Sequence, residues 1–187
     1  EFGWRTGSGK WPAYYPDNLP GILDVGQGSP TGIVFGKGAK FPAEYQKSLF
    51  IADWSFGTIY QIDLVPKGAS YQATKTEFLS GTPLAITDLI IGEDGNMYFT
   101  TGGRRGTSYL YQVKYTGDEP VSPVLQNFVI NEEQQIVRTL IEPAVSLNFA
   151  WQSLSLEDRF IRYSARVALE KKPVNSWIDK LENETNS

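Results

Sequence analysis

The 187-residue chain contains no cysteine and no histidine. The first absence excludes disulfides, thiolate nucleophiles, iron–sulfur ligation and thiolate zinc. The second removes the usual general base and the commonest metal ligand, so Ser-His-Asp and Cys-His catalysis within this chain are excluded. Strong charge of one sign is also missing: 17 basic and 21 acidic residues leave a formal charge of −4. A nucleic-acid partner, which calls for a basic face, is therefore not expected. No apolar run approaches the roughly 18–20 residues that a bilayer-spanning helix needs, so no membrane span is expected.

What the chain does have is apolar and aromatic bulk, with 41% hydrophobic and 13% aromatic residues, enough for a packed core. Eighteen glycines and eleven prolines punctuate it. Residues 1–30 are dense in Gly, Pro, Trp and Tyr and read as an ordered loop with aromatic anchors and one short strand at Ile22–Val25. Residues 31–118 read as short strands separated by turns. The first set is Thr31–Phe35, Ser48–Asp53, Thr58–Val65 and Lys75–Leu79. The second is Ile86–Gly92, Asn96–Thr101 and Ser108–Tyr115. Ile59, Gln61 and Asp63 alternate with Tyr60, Ile62 and Leu64, the period of two of a half-buried strand. Glu93-Asp94-Gly95-Asn96 is a hairpin signal, since Gly and Asn tolerate positive φ.

The two sets resemble one another. Phe50-Ile51-Ala52-Asp53 followed by Ile59-Tyr60-Gln61-Ile62 matches Tyr98-Phe99-Thr100-Thr101 followed by Leu110-Tyr111-Gln112-Val113. Repeats of roughly 40–50 residues with about four strands each predict propeller blades. Residues 119–132, with Pro120 and Pro123, read as a linker. Over 133–187 the period becomes helical. Ser155-Leu156-Glu157-Asp158 has the form of a capping box with Ser155 as N-cap. Phe160, Tyr163, Val167 and Ala168 then share a face, with Arg159, Arg162, Arg166 and Glu170 mostly opposite. Pro173 stops that helix, and Trp177, Ile178 and Leu181 predict another short one. The expected fold is therefore mainly β: a partial β-propeller of about two blades and a short α-helical, HEAT-like segment. A propeller closes with roughly four to eight blades, so a larger parent chain is expected.

Several motifs carry a family resemblance. They include Phe2-Gly3-Trp4-Arg5, Gly7-Ser8-Gly9-Lys10-Trp11-Pro12, the run Gly32–Gly36 through Phe41–Gln46, and Asp53-Trp54-Ser55-Phe56-Gly57-Thr58-Ile59-Tyr60. Ser80-Gly81-Thr82-Pro83-Leu84, Tyr98-Phe99-Thr100-Thr101-Gly102-Gly103-Arg104-Arg105 and the tail Asp158–Glu170 extend them. Together they resemble the PVC-type haem-binding, membrane-bound-dehydrogenase-domain proteins, whose propeller is related to glucose and sorbosone dehydrogenases that use pyrroloquinoline quinone (PQQ). The resemblance implies a sugar or alcohol oxidoreductase in an extracytoplasmic compartment. Its partners would be the remainder of the parent propeller and a haem-c domain outside this chain, where the Cys-x-x-Cys-His motif would lie. It also implies PQQ and calcium as cofactors. The lysine and arginines that hold the quinone carboxylates in the related dehydrogenases have no counterpart at Trp54-Ser55-Phe56 or at Ala85-Ile86-Thr87-Asp88.

Candidate ligand-binding residues follow from chemistry. Arg104 and Arg105, in a Gly-flanked loop, offer forked donors to a carboxylate or phosphate, or pair with Asp53 or Asp88. Trp4 and Trp54, with Arg5 beside Trp4, offer aromatic faces for a sugar or anchor the packing. Asp88 reads as a base, a calcium ligand or a turn cap. Asp94 and Asn96 lack the spaced acids of a calcium loop and read as a turn. Gly32–Gly38 misses phosphate-loop spacing, because Gly38 follows Lys37. Two functions stay open: a fragment of a quinoprotein-like oxidoreductase, or a non-catalytic module binding carbohydrate or a protein partner.

Overall fold

The computed structural model of the chain describes residues 19–103, 106–125 and 130–185. The chain forms two compact units.

The larger unit comprises Leu23–Val65 and Gln72–Phe128. Its strands are β1 (Pro30–Phe35), β2 (Leu49–Asp53), β3 (Thr58–Lys67), β4 (Ser70–Ser80), β5 (Ile86–Ile91), β6 (Met97–Thr101) and β7 (Tyr109–Val113). They build a four-stranded sheet in the order β1-β2-β3-β4 and a three-stranded sheet in the order β5-β6-β7. The pairings of β1 with β2, β2 with β3, β5 with β6 and β6 with β7 are antiparallel. Alternation selects the core: Phe50 and Ala52 from β2, Ile59 from β3, Ile86 and Leu89 from β5, Met97 and Phe99 from β6 form one buried cluster. Each large side chain fully buried there contributes about 1.5–3 kcal/mol. Phe78 adds an edge-on contact to Phe50 at 4.9 Å between ring centroids.

The two sheets repeat each other in detail. β1 slips register against β2 between Pro30 and Gly32, and β5 slips against β6 between Ile86 and Asp88. The bulged residue is a threonine both times. Thr31 Oγ1 donates to the Ile86 carbonyl at 2.7 Å, and Thr87 Oγ1 to the Thr100 carbonyl at 3.1 Å. The β2–β3 turn needs glycine at position 57, where φ is +62° and a Cβ would lie 2.5 Å from the Gly81 carbonyl oxygen.

A short helix, α1 (Ala43–Lys47), precedes β2. It buries Gln46, whose Nε2 donates to the carbonyls of Phe41 at 2.8 Å and Ser122 at 2.9 Å, while its Oε1 accepts from Val124 N at 2.9 Å. One amide thus fastens the 121–124 segment and satisfies backbone groups that would otherwise be stranded.

Of the described residues, the smaller unit comprises 19–22, Pro66–Tyr71 and 130–185. Helices α2 (Glu132–Ile141), α3 (Leu147–Ser153), α4 (Arg159–Glu170) and α5 (Ile178–Glu182) lie in it, with a 3-10 turn at Val174–Ser176. Leu140, Val145, Ala150, Ile161, Ala165, Ala168 and Leu169 make its core. The tip at Gly68 is fixed within this unit: Asn131 Nδ2 donates to the Gly68 carbonyl at 2.9 Å, and Asp158 Oδ2 accepts from Ala69 N at 2.9 Å. Among the described residues, no helix is long and apolar enough to cross a membrane.

Seven of the expected strands are present, although β4 starts at Ser70, before the expected Lys75, and the expected fold class is corrected. Among the described residues the chain is mixed α/β, with two open sheets and five α-helices, not a mainly β partial propeller with a HEAT-like tail. The second sheet stops at three strands, where a four-strand repeat implies a fourth. Helices α2, α3 and α4 share one core, while α5 buries no residue. Local alternation reports hairpins; whether sheets close into a ring depends on nonlocal packing that alternation does not encode. Ile22–Val25 forms no strand.

Two helix details change as well. The N-cap of α4 is Asp158, whose Oδ1 accepts from Phe160 N at 2.8 Å and Ile161 N at 3.2 Å, whereas Ser155 Oγ donates back to the Gln152 carbonyl. Its buried face is Ile161, Ala165, Ala168 and Leu169; of the expected set only Ala168 is among them, and Phe160, Tyr163 and Val167 are half-buried. Alanines let the helix approach its neighbours closely, and that outweighs aromatic bulk in choosing the face.

Candidate functional site

β2 ends in Asp53, and the turn that follows carries Trp54. Asp53 is 3% exposed. Its Oδ1 accepts from the backbone N–H groups of Ser55 at 2.7 Å, Phe56 at 3.2 Å and Ser29 at 3.2 Å. Trp54 N in turn donates to the Ser29 carbonyl at 2.9 Å. The carboxylate therefore ties the turn to the segment before β1. Trp54 then extends its ring, and Nε1 donates to the Gly102 carbonyl at 2.8 Å. Gly103 lets the ring come close: a Cβ there would lie 3.1 Å from Trp54 Cζ2.

This clamp forms one wall of a cleft of about 840 Å³. Tyr109 and Tyr111, on one face of β7, line it too. The Tyr111 ring stacks on Phe99 at 4.8 Å and 12°, which fixes its orientation. Tyr109 leans against Tyr111 with centroids 6.0 Å apart. Trp54, Tyr109 and Tyr111 remain 40%, 55% and 38% exposed, so aromatic surface faces solvent inside a concavity. Thr101 and Thr107 supply hydroxyls, and Gly102, Gly103 and Gly106 expose backbone. Thr101 is only 6% exposed, yet its hydroxyl has no hydrogen-bond partner among the described residues. None of the described lining residues is charged.

Of the residues that the sequence singled out, Trp54 is in the cleft. Asp88 is not: it is exposed, its Oδ1 accepts from Leu89 N at 2.8 Å, and it borders a separate depression of about 150 Å³ with Tyr98 and Leu110. It acts as a local cap at the β5 bulge. Trp4, Arg5, Arg104 and Arg105 lie outside the described residues. The sequence reading missed Tyr109, Tyr111 and Thr101. Their signal was present in the alternation of β7 and in the Thr101-Gly102-Gly103 stop, but only pairing across β6 shows that these residues face Trp54's side of the sheet.

Among the described residues, Asp94 has a strongly perturbed carboxyl. The Tyr98 hydroxyl donates to Oδ2 at 2.7 Å and Asn96 N to Oδ1 at 3.0 Å. These bonds, the tyrosine's foremost, hold the carboxyl down at about 2 against an ordinary 3.8. The same bond, with the carboxylate's charge, raises the Tyr98 phenol. The arrangement closes the β5–β6 turn, as expected for a hairpin.

The quinone carries carboxylates that need cations, and no described residue lining the cleft provides one. No group of three acidic, histidine or cysteine side chains able to hold a metal occurs among the described residues. No family model, curated protein or solved structure matches the chain.

Proposed function

We propose that the chain binds a neutral carbohydrate in the Trp54–Tyr109–Tyr111 cleft. The observation that carries this reading is a solvent-facing aromatic wall beside the Thr101 hydroxyl, which makes no hydrogen bond to the described residues, with no charge among the described lining residues. Sugar rings have apolar C–H faces that pack on aromatic rings, and hydroxyl edges that need hydrogen-bond partners. A cleft with rings on its walls and hydroxyls and peptide groups at its end matches both. Oxidation of a sugar or alcohol, which the sequence resemblance implies, also needs a proton acceptor, and no described residue lining the cleft is a suitable base. Binding is therefore favoured over turnover.

The test is calorimetric titration with glucose, galactose, mannose, cellobiose and maltose, with glucuronate as the charged control. At least one neutral sugar should bind, more tightly than glucuronate. Trp54→Ala should weaken it by roughly tenfold through lost stacking. Thr101→Val, nearly isosteric, should weaken it several-fold, because the ligand hydroxyl then has no partner. Absence of binding by every neutral sugar at millimolar concentration would sink the reading.

A further inference from the structure

The internal repeat offers a comparison within one molecule. Asp53 pairs with Pro30 and Thr58, and Thr101 pairs with Ile86 and Tyr109. The two residues thus occupy the same place, at the end of the middle strand, opposite the residue before the bulge. The second sheet forms its bulge and hairpin with threonine there. A carboxylate at this place is therefore not required for strand pairing.

Asp53 instead does something that Thr101 does not. One buried oxygen collects the N–H groups of Ser29, Ser55 and Phe56, which belong to two separate chain segments. Hydrogen bonds to an acidic oxygen are stronger than neutral ones, and three converging on one atom define a single loop geometry. The fit is close: a Cβ on Gly28 would collide with Asp53 Oδ2. Trp54 is the next residue, held also through its own N–H to Ser29 and its indole to Gly102.

From this we infer that Asp53 is a positioning residue for the cleft: it does not line it, but sets the orientation of Trp54. The inference rests on the carbohydrate reading only for its consequence in binding. The placement of the indole is a separate, measurable property. Preorganising one wall matters because an aromatic ring that must be ordered on binding costs rotamer freedom.

The experiment labels the protein with 5-fluorotryptophan and follows fluorine resonances, assigning Trp54 by its loss in Trp54→Phe. The main variant is Asp53→Thr, which copies the residue the second sheet accepts at this place. It should fold, with the other tryptophan resonances unmoved, while the Trp54 resonance shifts toward that of the free amino acid. Asp53→Asn keeps an acceptor oxygen and should return the resonance most of the way. In the sugar titration, Asp53→Thr should lose roughly tenfold in affinity.

A Trp54 resonance unmoved in folded Asp53→Thr overturns the inference. So does failure of that variant to fold, which would make the carboxylate a requirement of the hairpin. If no sugar binds the unaltered protein but Trp54 still moves in Asp53→Thr, the carbohydrate reading falls and the positioning role stands. If sugar binds both proteins equally and Trp54 is unmoved, the positioning role falls and the carbohydrate reading stands.

Discussion

Trp54 Nε1 donates to the carbonyl oxygen of Gly102 at 2.8 Å, joining the turn after β2 to the loop that leaves β6. The two partners follow strands of different sheets, so this bond links the two sheets at the cleft wall. Trp54→Phe keeps an aromatic ring but removes the donor. Because the site is partly exposed, the freed carbonyl rehydrates, and a loss of about 0.5–1.5 kcal/mol is expected in urea unfolding. Faster amide exchange at Gly103 than at the core strands should accompany it.

Gly28→Ala places a methyl group against Asp53 Oδ2. Relief requires the carboxylate or the segment before β1 to move, and overpacking of this kind costs about 1–3 kcal/mol. The cost should shrink when the acid is absent. A double-mutant cycle of Gly28→Ala with Asp53→Thr should therefore show favourable coupling. Additive losses in chemical denaturation would mean that the two positions relax independently.

Asp94 gives a pH prediction with a definite sign. Its folded pKa, about 2, is lower than the ordinary 3.8. The stabilisation it brings is complete above the unfolded value and is lost as pH falls through the folded one. A carbon-detected titration should show a midpoint near pH 2 for Asp94, rising toward the ordinary value in Tyr98→Phe, since the phenol is the leading cause. A midpoint unchanged by Tyr98→Phe would assign the depression to the turn's backbone.

Asp158 caps α4 and holds Ala69 N with its other oxygen. Asp158→Ala strips both roles and should cost about 1–2 kcal/mol or more. The loss should appear as earlier melting of helical circular dichroism. Ser155→Ala, at the position the capping-box pattern favoured, should be nearly neutral, because Ser155 Oγ only bonds back to the Gln152 carbonyl.

The contrast between those two residues shows what sequence patterns carry. The Ser-x-x-Asp spacing at 155–158 satisfies the capping-box pattern, yet the chain starts its helix three residues later, where Asp158 serves two elements at once. The strands were legible because alternation is a local property: Phe50 and Ala52 on β2, and Met97 and Phe99 on β6, share a face two residues apart and are buried together. α1, α2 and α3 were not singled out, because what they bury is set by the segments packed against them. Trp54 was legible as an aromatic beside a turn. Tyr109, Tyr111 and Thr101 were not legible as its companions, because their shared face depends on β6–β7 register.

The sequence by itself determined the strand positions, the glycine turns, the repeat and the exclusion of thiol and imidazole chemistry, all of which depend on residue type or on neighbours within a few positions. Tertiary structure alone decided that the sheets stay open and that the chain is mixed α/β. It also turned Asp53 from a strand-end acid into the anchor of a loop, and made Thr101, its counterpart in the repeat, part of the cleft wall. Equivalent positions in a repeat take the same backbone pairing, but what each side chain does is set by the segments packed against it, and those segments come from elsewhere in the chain.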